Sequence, residues 1–165
     1  MKKILFVVLG SLSLMACGPS KDKMQRLAEE NLELTVDNPE KLNVITISQP
    51  DSAFGTGYFT REEVKGMVGN MQAVTDTIMR RTDNMRHFNP NDRYVIGLAE
   101  RQMRGMAELR SLTAGGGRKA AFSGWKVRVD YSCVDKDGVP YRAQRWCFID
   151  KEGKQLFRSF ELPLP

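Results

Sequence analysis

Three cysteines and one histidine are the residues of this sequence that could act as nucleophiles or as soft metal ligands. His87 has no nearby cysteine or carboxylate pattern of the kind that binds zinc, and the sequence identifies no nucleophile for it to activate. The short signatures G-x-S-x-G, C-x-x-C, H-E-x-x-H and the phosphate-binding loop are all missing. We therefore predict no catalytic residue, no metal site and no cofactor, and a plain surface or capping role for His87.

Two acidic turns contain the aspartates and the glycine that calcium loops use. They are DKDG at 135–138 and DKEG at 150–153. An EF-hand loop needs further oxygen ligands at fixed positions and a distal glutamate, and neither turn has them. We predict instead that each turn joins two strands and that its glycine adopts the left-handed backbone conformation.

Cys17 follows a segment with the character of an export signal. Lys2 and Lys3 form a short positive start, and the thirteen residues from Ile4 to Ala16 carry no charge. Thirteen helical residues cover only about 20 Å, whereas the hydrocarbon core of a bilayer is roughly 30 Å thick. The segment is therefore expected to target the chain rather than to span a membrane.

Leu14-Met15-Ala16-Cys17 resembles the lipobox of bacterial lipoproteins, with an aliphatic residue first, a small residue third and an obligatory cysteine last. The resemblance implies cleavage between Ala16 and Cys17, a diacylglyceryl thioether on Cys17 and a further acyl chain, such as palmitate, on the new amine. Two or three chains hold a protein durably on a membrane. The expected organisation is a signal peptide at 1–16, a lipidated tether at 17–23 and one domain at 24–165. Because Gly18 follows the cysteine instead of the aspartate that favours inner-membrane retention in that family, the expected location is the outer membrane, facing the periplasm.

Charge is concentrated in one part of the mature chain. Loss of Lys2 and Lys3 leaves 23 basic and 20 acidic side chains, so the net charge falls from +5 to +3, which does not predict nucleic acid binding. Residues 80–119 alone hold nine Lys or Arg against four Asp or Glu. Such a stretch could bind anionic lipids or acidic glycans, or it could be a solvated exterior. The candidate binding surface contains Arg80, Arg81, Arg86, Arg93, Arg101 and Arg104.

The first half of the chain predicts two helices separated by a strand. Ser20 to Thr35 has apolar residues, including Leu34, at helical spacing, and residues 42–48 alternate as a strand that ends in a loop. Thr60 and Glu63 form a capping box that opens a second helix reaching about Asn84. Its methionine-rich stripe is expected to be core rather than a soft binding groove.

A third helix is predicted from Asn89 and Pro90, as N-cap and first helical residue, to the glycine run at 115–117. Two long helices joined by a short link should form an antiparallel hairpin. Glycines at 66, 69, 97 and 105 suggest close backbone approach where the two helices cross.

From Phe122 the apolar period changes to two, and three strands follow as an antiparallel meander at 122–133, 141–149 and 155–162. We predict an α+β domain in which three helices cover one face of a mainly antiparallel sheet of about four strands. Trp146 and Phe148 alternate with Arg145 and Cys147 in the central strand. This strand is either buried on both sides, or its Trp146 and Phe148 face meets a ligand or partner.

Cys133 and Cys147 are predicted to remain separate thiols. The turn at 135–138 places Cys133 opposite Arg142 or Tyr141, so Cys147 lies five or six residues further along, roughly 16 to 20 Å away. A disulfide needs Cα atoms within about 7 Å.

These patterns favour a membrane-anchored envelope lipoprotein that acts as a non-enzymatic module. It would bind a partner protein or an anionic glycan or lipid of the envelope through the arginine surface or the Trp146 and Phe148 face. Two alternatives stay open, namely an enzyme that acts on envelope polymers and a mainly structural lipoprotein.

Overall fold

The computed structural model describes residues 20–55, 58–113 and 121–165. The predicted signal peptide, Cys17 and the glycine run at 115–117 lie outside these ranges. The elements in chain order are α1 (Lys21–Thr35), a 3-10 turn (Pro39–Lys41), β1 (Asn43–Ile47), β2 (Asp51–Phe54), α2 (Arg61–Arg81), α3 (Arg93–Thr113), β3 (Phe122–Val134), β4 (Pro140–Ile149) and β5 (Leu156–Leu164). The predicted α+β class and the meander are confirmed. Because α1 begins at Lys21, part of the tether predicted at 17–23 is helical.

The sheet is antiparallel throughout and has the order β1-β3-β4-β5, with β2 also paired to β3. The strand β1 pairs with 129–132 of β3, and β2 pairs with 122–126 of the same strand. These two short strands together fill the fourth position of the sheet. The sequence missed β2, since Pro50 and Gly55 flank only four residues and favoured a continuous loop.

The helices pack on both faces of the sheet, so the expectation that all three cover one face is wrong. Cys147 and Ile149 of β4 belong to a core that contains Met24, Ala28 and Leu32 of α1. Trp146 and Phe148 point the other way into a core formed with α2 and α3. The result is three layers, with the sheet in the middle. Within the described ranges, no helix has both the length and the apolar character needed to cross a bilayer.

Local signals set the starts of α1 and α2 as predicted. The Ser20 hydroxyl accepts from the Lys23 N–H at 3.4 Å. The Thr60 hydroxyl accepts from the Glu63 N–H at 3.2 Å, and the Glu63 carboxylate accepts from the Thr60 N–H at 2.7 Å, which completes the capping box. On α1, however, Leu34 is 85% exposed, because Ala28 and Leu32 form the buried stripe instead.

The ends of α2 and α3 around the connecting loop differ from the prediction. The helix α2 stops at Arg81 because Asp83, Asn84 and Met85 adopt positive φ angles of 47°, 55° and 68°. The helix α3 begins at Arg93, and the Asp92 carboxylate accepts from the Val95 N–H at 3.2 Å. Asp92 is therefore the capping residue, and the N-cap assignment of Asn89 is wrong.

The two long helices form the predicted antiparallel hairpin, but their glycines do not mark the crossing. Gln102 of α3 donates to the Met71 carbonyl at 2.9 Å and to the Thr75 hydroxyl at 2.7 Å on α2. Gly66 and Gly69 have open space where a Cβ would lie. A Cβ on Gly105 would lie 2.9 Å from the Glu161 carbonyl oxygen and 2.9 Å from Leu162 Cδ2. Gly105 thus permits close approach of α3 to β5 rather than to α2.

Lys126 joins the start of α2 to the middle of the sheet. Its side chain is 2% exposed, and its ammonium donates to Glu63 Oε2 at 2.7 Å and to the Tyr58 carbonyl at 3.2 Å. The Asp51 carboxylate lies 3.2 Å away. A buried charge is tolerated when it is paired and hydrogen-bonded. The Glu63 carboxylate therefore serves the capping box and the buried lysine together.

We expect Gly105→Ala to lower the free energy of unfolding by about 1 to 3 kcal/mol, because the new methyl group overpacks against the β5 backbone. Gly66→Ala is the matched control. Its methyl group meets open space in a helix interior, so it should raise stability by up to about 1 kcal/mol. Urea unfolding of both variants measures the difference, and equal effects would contradict the close approach of α3 to β5.

Candidate functional site

The predicted arginine surface divides into two groups. Arg93, Arg101 and Arg104 of α3 line one continuous groove. Arg80 bonds within its own helix, to the Thr77 hydroxyl at 3.2 Å, and Arg81 stacks on the Tyr94 ring at 4.5 Å. Arg86 lies exposed in the loop after α2. The six arginines therefore do not form one surface, and only the α3 group is gathered at a concave site.

Trp146 and Phe148 are not a contact surface, which corrects the prediction of a binding face. Their exposed fractions are 5% and 0%. The Phe59 ring lies 5.0 Å from the Trp146 ring and 5.6 Å from the Phe148 ring, centroid to centroid. Of the two readings left open for this strand, burial on both sides is correct.

The groove lies beside α3 and consists of two adjoining cavities of about 580 and 480 Å³. Its walls are α3, the segment after α1, the turn between β3 and β4, and the exposed side of β5. The two cavities share Asp37, Arg101 and Arg104. The first continues along the turn at 135–137, and the second continues over Tyr141, Arg145 and Glu161.

Glu161 organises the floor of the second cavity. Its Oε1 accepts from Arg101 at 2.9 Å, and its Oε2 accepts from Arg145 at 3.0 Å and from the Tyr131 hydroxyl. The Arg101 guanidinium also lies over the Tyr141 ring, 3.5 Å from its centroid. One carboxylate thus holds groups from α3, β3 and β4 in fixed positions.

Sequence reasoning did not identify Arg145, Glu161 or the two tyrosines. One signal was present, because the alternation of β4 puts Arg145 on the same face as Ala143 and Cys147. A charge on a buried face needs a partner. The partner is Glu161, which lies directly opposite Arg145 in the pairing of β4 with β5. The sequence of either strand alone does not predict this register.

The pKa shifts in the floor fix its charge state at neutral pH. Burial and the negative charge of Glu161 raise the pKa of Tyr141 to about 12, and the same two causes raise the pKa of Tyr131 further. Burial alone would lower the pKa of Arg101, but the charge of Glu161, its hydrogen bond and the neighbouring tyrosines together outweigh burial, and the pKa is raised. The pKa of Arg145 is raised too, since Tyr131 and Glu161 outweigh its burial. The arginines are therefore permanent cations and the tyrosines neutral donors.

Two arginine groups in the second cavity have hydrogen-bonding capacity to spare. Arg145 Nε is buried without a hydrogen-bond partner. Arg104 is exposed, and no carboxylate of the described ranges lies within 4.0 Å of its guanidinium. Glu108, on the rim, pairs instead with Arg158 at 2.7 Å. Of the two, only Arg104 is open to solvent, so it is the guanidinium that the cavity can offer to an anionic group.

Within the described ranges, the two remaining cysteines and the histidine form no comparable site. Cys133 lies opposite Tyr141 and Cys147 opposite Val127, and both are free, buried thiols. Burial raises the pKa of Cys147 to about 12, partly offset by Arg145. His87 is exposed in the loop and lies 3.1 Å from the Asp83 carboxylate. No group of three or more His, Cys, Asp or Glu in the part of the chain described here could hold a metal ion. Gly138 and Gly153 have φ angles of 79° and 68°, which confirms the two predicted turns.

The fold and site define a three-layer α+β domain with an arginine-lined groove at one side of its sheet. This chain matches no protein-family model, no curated protein and no solved structure at a significant level.

We expect Glu161→Gln to lower the free energy of unfolding by about 3 kcal/mol, because it leaves the buried guanidinium groups of Arg101 and Arg145 without a counter-charge. Glu108→Gln removes an exposed ion pair with Arg158 and should cost less than about 1 kcal/mol. Urea unfolding of both variants provides the comparison. A loss for Glu161→Gln no larger than that of its control would show that the cluster does not hold the groove together.

Proposed function

We propose that the chain is a lipid-anchored envelope lipoprotein and that its groove binds an anionic glycan or lipid group without catalysing a reaction. The observation that carries the binding proposal is the convergence of Arg101, Arg104 and Arg145 in one cavity. Arginine suits carboxylate and phosphate groups because its planar fork donates two parallel hydrogen bonds. Three carboxylates, Asp37, Glu108 and Glu161, line the same cavity, so the attraction for an anion comes from the placement of the guanidinium groups and not from an excess of positive charge.

Preorganisation supports this proposal. Glu161 already fixes Arg101 and Arg145, whose side chains are only 13% and 12% exposed. Binding costs less side-chain entropy when the protein's donors are already fixed than when the ligand must first order them. Arg104 is the solvent-exposed member, and its side chain has room to turn toward a bound anion from the α3 side.

The geometry supports binding over catalysis. A general acid or base must exchange a proton near neutral pH. Both oxygens of Glu161 already accept hydrogen bonds, and the shifted pKa values keep Tyr131 and Tyr141 protonated. An enzyme acting on envelope polymers is therefore the weaker alternative.

The membrane part of the proposal rests on the resemblance of residues 14–17 to a lipobox. Ser20, the first described residue, is exposed and caps α1, which is compatible with a lipid attached three residues before it. We retain the outer membrane, on its periplasmic side, as the proposed location because Gly18 follows Cys17.

A partner protein is the second candidate ligand. A further cavity of about 410 Å³ lies on the outer side of the α2–α3 hairpin, lined in part by Val68, Met71, Met103 and Met106. Met103 is 67% exposed and Val68 is 49% exposed. Flexible methionine side chains suit an adaptable protein contact, although the predicted core stripe itself, at Met67 and Met71, is buried.

Cys17→Ser should abolish lipid attachment and release the protein from the membrane fraction, because serine cannot form the thioether. The wild-type chain should incorporate an alkyne-tagged palmitate and sediment with membranes. Cys133→Ala is the control for loss of a thiol elsewhere and should keep the label. A Cys17→Ser product that still sediments and runs at an unchanged mass would contradict the anchor.

Arg104→Gln should weaken anion binding about 10-fold or more, the loss expected for one charge-assisted hydrogen bond. The probes are glucosamine phosphate and an oligogalacturonate, added to the full-length protein in detergent micelles and followed by isothermal calorimetry. Arg80→Gln removes the same charge outside the groove and should leave affinity unchanged. The probe that binds with the higher affinity shows whether phosphate or carboxylate is the preferred ligand group. Equal losses in both variants would mean that binding reflects net charge and not the groove.

A further inference from the structure

One end of the molecule combines a row of aromatic rings with lysines. We call it the proximal end and define it by Phe54, Phe122, Trp125, Lys151 and Lys154. The Phe54 and Phe122 rings are 6.0 Å apart, and the Phe122 and Trp125 rings are 5.4 Å apart, in edge-to-face contact. Phe54 is 54% exposed, and the other two rings are half-buried. None of these residues lines the groove.

Trp125 has one apolar side and one polar side, as tryptophans at a bilayer surface do. Its ring packs against the core that lies under α1, and its indole N–H donates to the Lys151 carbonyl at 3.1 Å. Lys151 and Lys154 are exposed on the same turn. Aromatic rings with a polar edge concentrate at membrane interfaces. Lysines beside them can extend their ammonium groups to lipid phosphates.

The direction of α1 shows that its start faces the proximal end. Gln25, early in α1, donates to the Ser48 carbonyl at 3.0 Å, and Ser48 is bonded to Arg128 of β3. Asn38, just past α1, donates to the carbonyls of Val134 and Asp135 at 2.9 and 2.8 Å. The helix therefore runs from the level of residue 128 to the level of residue 134. Phe122 and Trp125 lie beyond its starting end.

The short chain before α1 limits the distance between the proximal end and the lipid. Only three residue steps separate Cys17 from Ser20, and they span at most about 11 Å. A lipid on Cys17 would thus hold the start of α1 within that distance of the bilayer surface. Lys21 and Lys23 of α1 add positive charge on the same side, partly offset by Asp22 and Glu152.

We propose that the proximal end lies directly on the bilayer that holds the Cys17 lipid, with Phe54 and Trp125 at the level of the headgroups. This inference rests on the proposed lipid anchor. It makes the attachment two-part, with acyl chains supplying the affinity and the aromatic row setting the orientation. The long axis of β3 then points away from the membrane.

The groove is held clear of that bilayer as a result. Along β3, the positions level with Arg145 and Asp135 lie seven and thirteen residues from Phe122, or roughly 20 to 40 Å. The headgroup layer on one side of a bilayer is only about 5 to 8 Å thick. The anion in the groove is therefore not a headgroup of the anchoring leaflet. A glycan or another molecule that approaches from the far side fits this geometry.

Quenching of tryptophan emission by brominated lipids tests the orientation. Full-length lipoprotein is incorporated into vesicles of phosphatidylethanolamine and phosphatidylglycerol, with or without bromine near the acyl carbonyls. Two reporters are compared with Trp125 left in place: Phe54→Trp at the proximal end and Glu40→Trp, exposed at the far end. Trp125 and the buried Trp146 are common to both. Because bromine quenches on contact, Phe54→Trp should lose about half of its added emission and Glu40→Trp almost none.

The outcomes separate this inference from the anchor. Mass spectrometry of the same samples establishes whether Cys17 carries lipid. If it does and the Phe54→Trp reporter is no more quenched than the Glu40→Trp reporter, the domain is not oriented by its proximal end and the inference fails alone. If Cys17 carries no lipid, the anchor and the inference fail together.

Discussion

The Glu161 carboxylate joins the sheet to the layer of α2 and α3 at one point. It accepts from Arg101 of the helix layer and from Arg145 and Tyr131 of the sheet, on the face that α1 covers. This contact is possible because Gly105 lets α3 approach the β5 backbone so closely. The groove exists because α3 is held there at a fixed distance from the sheet.

That dependence links stability to function. A buried ion cluster contributes little net free energy when it is complete, yet it fixes one arrangement because any incomplete version leaves a charge without a partner. The same guanidinium groups that order the core form the floor of the cavity. If the groove binds a ligand as proposed, its preference can change most easily at the rim, where substitutions of Arg104 and of the acidic turn do not disturb the cluster.

Local signals in the sequence predicted much of the fold. The capping box, the two glycine turns and the change of apolar period at Phe122 each depend on a few neighbouring residues, and each was confirmed. Errors appeared where a distant part of the chain decides. The placement of α1 on the second face, the pairing of β2 and the cap at Asp92 all depend on contacts far along the chain or on loop geometry.

The site was predicted only in part for the same reason. A count of arginines identified the stretch that contains Arg93, Arg101 and Arg104, but it could not separate them from Arg80, Arg81 and Arg86, which occupy the other helix and its loop. The large rings of Trp146 and Phe148 suggested a contact face, although the helical hairpin covers them. Arg145 and Glu161 required the register of β4 and β5, which no single segment encodes.

The two edges of the sheet determine whether neighbouring copies of the domain could pair strand to strand. One border consists of β1 and β2, which are short, interrupted at Pro50 and irregular at two places in their pairing with β3. The other is β5, which contains Pro163 and is packed against α3. Neither border offers a long row of free backbone groups to a neighbour. Tethering many such domains in one plane would therefore raise their local concentration without promoting growth of a shared sheet from molecule to molecule.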